Sequence, residues 1–218
     1  MNEREIYENC SFFTAFPDAD EFFASETEKD LLLPVGIYHL EESDGKYDIL
    51  LAIPIGDDEG LIGVDNFGET CGETWLTYTQ RDGRWSLDCS PSDLLPFDLV
   101  LSEAKIKFNQ RRDEFLESGH ICHKNGVPGH KMLFNKGDET TNYCNWYNKL
   151  KKHVRNKLSE IPGNKNGNEK LVSLYSDDGN EYTYLGFVEA GVYAGLLAQA
   201  HFFFCANLKR VLVIHDFT

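Results

Sequence analysis

The sequence predicts an α+β fold, built as one compact domain. Three observations support this prediction: strand-like segments lie between residues 35 and 89, helix-like segments lie between residues 101 and 161, and the last fifty residues combine both. The chain of 218 residues is 41% hydrophobic and 13% aromatic, which is typical of a protein that buries a core. The alternative division is two packed lobes, an acidic β-rich lobe over residues 1–97 and a second lobe over residues 98–218.

The N-terminal half is predicted to form an antiparallel β-meander, preceded by a short acidic helix within residues 16–30. Apolar and polar residues alternate along each strand segment, and turn residues separate the segments. Asp44-Gly45 and Asp82-Gly83 are hairpin signals, because both residue types tolerate the positive φ angles of tight turns. The five strands are expected at residues 35–41, 47–55, 60–66, 74–80 and 84–89.

The middle of the chain is predicted to be helical. One helix is expected over residues 101–119, with Gly119 as its C-terminal stop, and a second over residues 141–161, where apolar residues recur every three or four positions. A strand-helix-strand unit is expected at the C-terminal end. Its strands are predicted at residues 170–176, 181–189 and 210–217, and its buried helix at residues 191–205.

Charge is distributed unevenly along the chain. The formal net charge is −15, and residues 1–97 hold 22 acidic and 5 basic residues, whereas residues 98–170 hold 9 acidic and 14 basic ones. A field of this sign repels nucleic acid, so nucleic-acid binding is not expected. The basic segment at residues 148–157 is interpreted as a solvated helix face.

The sequence also carries expectations about location and redox state. The first ten residues include three glutamates, where a secretory signal would need basic and then apolar residues, so a cytoplasmic location is expected. The longest apolar stretch, residues 190–206, is interrupted by Gln199 and His201 and is too short to span a bilayer, so no membrane partner is predicted. The six cysteines form no CxxC pair and are expected to be reduced.

Residues 120–130 form the segment that most resembles a chemical site, with three histidines and one cysteine. His120, Cys122, His123 and His130 offer four side chains of the types that bind zinc. However, these residues do not follow the ligand spacing of a zinc finger, and the favoured interpretation is a polar connector between helices. No cofactor is therefore predicted, and a divalent metal such as zinc or magnesium is the alternative.

A second alternative extends this segment into the following helix. His130 is followed by Asn145 and His153, which resembles in spacing the His-Asn-His type of nuclease motif. This resemblance implies a metal-dependent nuclease or phosphodiesterase, with His130 as general base. An acidic residue next to His130 is missing, and the chain has no GxSxG, P-loop or GxGxxG motif, so an enzyme is not the leading interpretation.

The leading prediction is a non-catalytic acidic binding protein, an inhibitor of the bacterial immunity type that neutralises a basic toxin or enzyme by occluding its active site. Carboxylates in neighbouring loops would attract a basic protein partner, while aromatic side chains supply most of the affinity. An adaptor or chaperone for a protein cargo is a further alternative. The predicted partner-binding residues are Asp57, Asp58, Glu59, Asp65, Phe67, Glu69, Glu73 and Trp75.

Overall fold

A computed structural model describes residues 4–42, 45–56, 68–94, 98–123, 127–137, 139–164 and 167–217, with the backbone alone for residues 98 and 99. The fold is α+β, as predicted, with more residues in strands than in helices. In chain order, the elements are β1 (Glu5–Ile6), β2 (Phe13–Ala15), α1 (Ala19–Phe22), α2 (Glu26–Leu31), β3 (Leu32–Glu42), β4 (Gly45–Pro54), β5 (Trp75–Arg81), β6 (Arg84–Leu87), α3 (Asp98–Ser118), β7 (Phe134–Lys136), α4 (Asn145–Leu150), β8 (Arg155–Glu160), β9 (Lys170–Tyr175), β10 (Glu181–Glu189), α5 (Ala190–Tyr193), β11 (Ala198–Cys205) and β12 (Arg210–Phe217).

The strands form two antiparallel sheets. The larger sheet runs in the order β1-β7-β10-β11-β12-β5-β6. Strand β9 pairs with the same edge of β10 as β7 does, and β8 pairs with the other edge of β9. The smaller sheet has the order β2-β3-β4. Strand β5, from the first half of the chain, pairs with β12 over five residues, so the larger sheet is assembled from both ends of the sequence.

Both faces of the larger sheet are buried. Phe202 and Phe204 of β11 belong to the apolar cluster that includes the smaller sheet, while Phe203 belongs to a second cluster that includes α4 and β9. Helix α3 closes the first cluster at one side, where Phe108 contacts the ring of Phe16 at a centroid distance of 5.5 Å. The central strands therefore have little contact with water.

Most predicted strands are confirmed, but the predicted N-terminal β-meander is wrong: β3 and β4 belong to the smaller sheet, whereas β5 and β6 belong to the larger one, because β5 pairs with β12 from the C-terminal end. β3, β4, β5 and β6 occupy the segments expected at 35–41, 47–55, 74–80 and 84–89, and β9, β10 and β12 match the C-terminal strand predictions. Asp82 and Gly83 form the predicted turn with φ angles of 50° and 81°. The strand expected at residues 60–66 lies outside the described residues, as does Asp44.

The first two helix predictions are confirmed in outline. The acidic segment forms two short helices, α1 and α2, whose N-caps are Asp18 and Ser25. Helix α3 spans the segment predicted as 101–119 and begins at Asp98. Gly119 ends it with a φ of 77°, as the sequence predicts.

The predicted helix over residues 141–161 is wrong. Helix α4 covers only Asn145–Leu150, and the chain then turns and enters β8. The side-chain amide Nδ2 of Asn156 donates to the carbonyl oxygens of Lys151 and Val154, both at 2.9 Å, which stabilises the turn after the helix. Six residues of β8 then pair with β9, a long-range contact that helical periodicity does not reveal.

The predicted buried helix over residues 191–205 is also wrong. Helix α5 ends at Tyr193, Gly195 adopts a φ of 79°, and residues 198–205 form β11 in the middle of the larger sheet. A strand that is buried on both faces has a continuous apolar sequence, and such a run also fits a buried helix. Within the described residues, none of the helices is long and apolar enough to cross a membrane.

The two sheets are joined by the hydroxyl group of Tyr78, which is fully buried. This hydroxyl donates to the carbonyl of Leu50 at 2.8 Å and accepts from the amide of Ala52 at 3.0 Å, along the outer edge of β4.

Replacing Tyr78 with Phe leaves both backbone groups buried without these bonds, so we expect a loss of about 2 kcal/mol in the free energy of unfolding. Urea denaturation measures this loss. Tyr143→Phe, at a position that is 61% exposed, is the control, and an equal effect of the two changes would contradict the bridging role.

Candidate functional site

A groove of about 980 Å³ lies between the N-terminal segment and the loop that follows α3. It combines acidic, aromatic and imidazole side chains in one open surface. Its lining residues are Glu5, Ile6, Tyr7, Glu8, Cys10, Phe12, His120, His123, Pro128, Gly129, His130 and Lys136. The predicted histidine segment therefore faces the first residues of the described chain.

Strand pairing places the N-terminal wall of the groove. β1 pairs with β7, so that Ile6 lies opposite Phe134, and the amide of Leu133 donates to the carbonyl of Ile6 at 2.7 Å. The amide of Lys136 donates to the carbonyl of Arg4 at 2.8 Å. These bonds tie a short segment with few local structural signals to the edge of the larger sheet.

The opposite wall is the loop after α3, which is anchored at two points. Ile121 is fully buried, and its carbonyl accepts a 2.7 Å hydrogen bond from the amide of Lys131. The carboxylate of Glu114 accepts a 2.7 Å hydrogen bond from the amide of Cys122, which fixes the loop to the end of the helix. An isolated bridge between Cys122 and His130 then folds the loop back on itself.

The imidazoles of His120 and His130 are stacked, with ring centroids 3.9 Å apart and an interplanar angle of 6°. His123 is exposed at the rim of the groove. The Nδ1 atom of His120 is buried and has no hydrogen-bond partner among the residues that the structure describes. Both rings of the stacked pair line the groove.

Carboxylates and aromatic rings lie on the N-terminal side. The hydroxyl of Tyr7 donates to Oε2 of Glu5 at 2.9 Å, and this bond raises the pKa of Tyr7 above its ordinary value. Glu8 is exposed, and the ammonium of Lys136 lies 5.4 Å from the centre of the Phe12 ring. The groove thus offers the carboxylates of Glu5 and Glu8 to a positively charged ligand, beside a Phe12 ring over which Lys136 already lies.

The predicted metal ligands are only partly brought together. His120, His123 and His130 line the groove, while Cys122 contributes its backbone to the bridge with His130. Over the described ranges, no group of three or more His, Cys, Asp or Glu side chains is arranged to hold a metal ion. Residues 124–126, within the same loop, are outside those ranges.

The residues of the nuclease alternative have three different surroundings. His130 lies in the groove, against the ring of His120. Asn145 begins α4, where its backbone amide hydrogen-bonds to Asp216. His153 packs against Trp75 with the two rings tilted and their centroids 5.5 Å apart. The geometry therefore offers no support for a shared site of these three side chains.

Three of the predicted partner-binding residues are described, and each is used inside the molecule. The side chain of Glu69 is 10% exposed and accepts hydrogen bonds from Tyr182 at 3.2 Å and Arg210 at 3.3 Å. Glu73 forms an ion pair with Lys149. Trp75 is 1% exposed, so it offers no surface for a partner to contact. Asp57, Asp58, Glu59, Asp65 and Phe67 lie outside the described residues, and their role stays a prediction.

Two buried histidines form a separate polar region within the larger sheet. Nδ1 of His201 lies 2.9 Å from the hydroxyl of Tyr184, whereas its Nε2 atom and both ring nitrogens of His215 have no partner within the described chain. Burial lowers the pKa of His201 to about 4 and that of His215 to about 3. Both rings are therefore neutral at pH 7. We expect them to affect the stability of the fold as the pH falls.

Sequence reasoning missed the N-terminal wall of the groove. Glu5, Tyr7, Glu8 and Phe12 have no motif spacing, and only the pairing of β1 with β7 places them opposite the histidines.

A search of protein-family models, of curated proteins and of solved structures finds no match for this chain. The interpretation of the groove therefore depends on its own chemistry.

Proposed function

We propose that this protein is a non-catalytic acidic binding protein, an inhibitor of the immunity type that covers the active site of a basic toxin or enzyme. The observation that carries the proposal is the open groove, which is lined by the carboxylates of Glu5 and Glu8 together with the rings of Tyr7 and Phe12. A lysine or arginine side chain of the partner would meet the carboxylates, and its neighbours would contact the rings.

The charge balance supports a basic partner. The chain has 36 acidic and 21 basic residues, so internal ion pairs neutralise at most 21 carboxylates and leave a surplus of 15. Charge of one sign accelerates the encounter with a partner of the opposite sign, and the acceleration falls with ionic strength. Inhibition by occlusion benefits from this fast association.

The acidic N-terminal half keeps unpaired carboxylates even where ion pairs form. Lys29 pairs with Asp20 at 2.5 Å and with Glu26 at 2.6 Å, so one cation serves two carboxylates. Glu8 and Glu21 are exposed, and no ion pair to either is found within the described ranges. A negative potential is thus expected around the groove and the α1–α2 region.

The double substitution Glu5→Lys/Glu8→Lys tests the proposal. It reverses the charge of the groove, so we expect at least a tenfold loss of affinity for the basic partner and a weaker dependence of binding on salt. The matched control is Asp177→Lys/Asp178→Lys, which makes the same change in charge at two exposed positions of the β9–β10 turn. Partners are captured from a lysate of the source organism and identified by mass spectrometry.

A captured protein supports the proposal only if it is an enzyme or toxin that the unmodified protein inhibits. If the groove variant and the control lose inhibition equally, the loss is explained by overall charge and not by the groove. If the groove variant inhibits fully, the groove is not the binding site. Asp57→Lys/Asp58→Lys/Glu59→Lys tests the predicted acidic loop in the same assay, and we expect it to weaken capture as well.

Metal-dependent phosphodiester cleavage is the second candidate, and one observation favours it: three imidazoles line the same groove. Metal analysis of the purified protein separates the two candidates. Stoichiometric zinc that disappears in His130→Ala would favour the metal site. Nuclease activity that needs added magnesium and is lost in the same variant would favour the nuclease alternative.

A further inference from the structure

Two of the six cysteines are neighbours in space although they are far apart in the sequence. The thiols of Cys71 and Cys89 are in hydrogen-bond contact. The backbone of Thr77 in β5 explains this proximity. Its amide donates to the carbonyl of Thr70 at 2.9 Å, while its carbonyl accepts from the amide of Asp88 at 3.1 Å.

Residues 70–71 and 88–89 therefore meet at the same edge of β5. Thr70 belongs to the segment before β5, and Asp88 belongs to the segment after β6. A cysteine follows each of these two residues in the sequence. Cys71 also forms an isolated bridge with Leu76. The two thiols are held together by the hydrogen-bonding pattern of the sheet, and a rearrangement of the chain is not needed to bring them into contact.

The two thiols differ in exposure and acidity. Cys71 is 3% exposed and belongs to the main core, whereas Cys89 is partly exposed and lies at its border. The Cys89 thiol donates a hydrogen bond that lowers the pKa of Cys71, and the same bond raises the pKa of Cys89. Cys89 is thus the thiol of the pair that lies nearer to solvent.

We propose that Cys71 and Cys89 form a reversible disulfide when the protein meets a peroxide. The thiolate of one of the two cysteines attacks one peroxide oxygen and becomes a sulfenic acid as the O–O bond breaks and hydroxide leaves. The sulfur of the other cysteine then attacks the sulfenic sulfur, and the sulfenic oxygen leaves as water. Two thiols are oxidised to one disulfide, and hydrogen peroxide is reduced to two molecules of water.

The disulfide links the two ends of a loop that contains the β5–β6 hairpin. Closing such a loop reduces the entropy of the unfolded chain, so the oxidised protein is more stable than the reduced one. It also fixes the segment that carries Glu69 and Glu73 to the end of β6. This oxidation site is independent of the groove, since it lies on the opposite edge of the larger sheet from β1 and β7.

The test treats the purified, reduced protein with hydrogen peroxide and then alkylates free thiols. Peptide mapping without reductant is expected to show one linked pair containing Cys71 and Cys89, and the number of free thiols should fall from six to four. The melting temperature should rise by about 5 to 10 °C and return after dithiothreitol. Cys71→Ser and Cys89→Ser should each abolish the linked pair and the rise, whereas Cys122→Ser, at an exposed position, should keep both.

Two results would overturn the proposal. One is six alkylated thiols at a peroxide concentration that already oxidises methionine. The other is oxidation of Cys71 or Cys89 to sulfinic acid without a linked peptide. Because Cys89 is only partly buried, Cys89→Ser keeps the test decisive if Cys71→Ser fails to fold.

Discussion

Acidification is expected to unfold the protein at about pH 4 to 5, because His201 and His215 are buried as neutral rings. Burial lowers the pKa of His201 from 6.5 to about 4 and that of His215 from 6.5 to about 3. Below pH 6.5 the unfolded chain therefore binds more protons than the folded protein. The stabilisation is complete above this pH and is lost as the pH falls towards 3.

The expected loss is large compared with the stability of a typical domain. One pKa unit corresponds to about 1.4 kcal/mol, so acidification to pH values near 3 lowers the free energy of unfolding by on the order of 5 kcal/mol through His215 and on the order of 3 kcal/mol through His201. Domains of this size are stable by about 5 to 15 kcal/mol. Burial raises the pKa of Asp216, which acts in the opposite direction and reduces the net effect.

Urea denaturation between pH 8 and pH 4 measures this dependence. His215→Leu should move the acid transition to lower pH by at least half a unit, and it should retain or increase stability at pH 7, because the native ring nitrogens have no partner within the described chain. His123→Gln, at an exposed position, is the control and should leave the curve unchanged. An unchanged acid transition in His215→Leu would contradict the assigned burial.

The second large effect is expected in β11. Phe202 and Phe203 are adjacent and fully buried, and they pack into clusters on opposite faces of the larger sheet. Phe202→Ala and Phe203→Ala should therefore each lower the free energy of unfolding by about 3 to 5 kcal/mol. Urea denaturation at pH 7 provides the measurement.

Thr183→Ala is the control for these two variants, since Thr183 is an exposed residue of the neighbouring strand β10. Its replacement should change stability by less than about 0.5 kcal/mol. A loss below about 1 kcal/mol for either phenylalanine would contradict a central strand with two buried faces.

Sequence patterns predict a segment correctly where its turn residues or its apolar periodicity match the element that the fold contains there. Turn residues such as Asp82-Gly83 mark β3 to β6, and a glycine stop at Gly119 marks α3, although β3, β4 and β5 are themselves buried over runs of seven, six and five residues. β11 has neither signal, because burial on both faces removes the alternation that identifies a strand. Its run of apolar residues fits a helix and a strand equally well.

Long-range pairing accounts for the remaining differences. The pairing of β8 with β9 overrides the helical spacing after Leu150, and the pairing of β1 with β7 creates a groove wall from residues with no motif. The histidine segment could be selected from composition alone. Its partners in the groove, Glu5, Tyr7 and Glu8, could not, because their proximity depends on the fold.

Hydrogen exchange of the protein with and without its captured basic partner tests the proposed function most directly. Binding in the groove predicts slower exchange of backbone amides in residues 4–12 and 120–136, while the turn at residues 177–180 stays unchanged. Protection confined to other parts of the chain, with these two segments unaffected, would contradict the assignment of the groove as the recognition site.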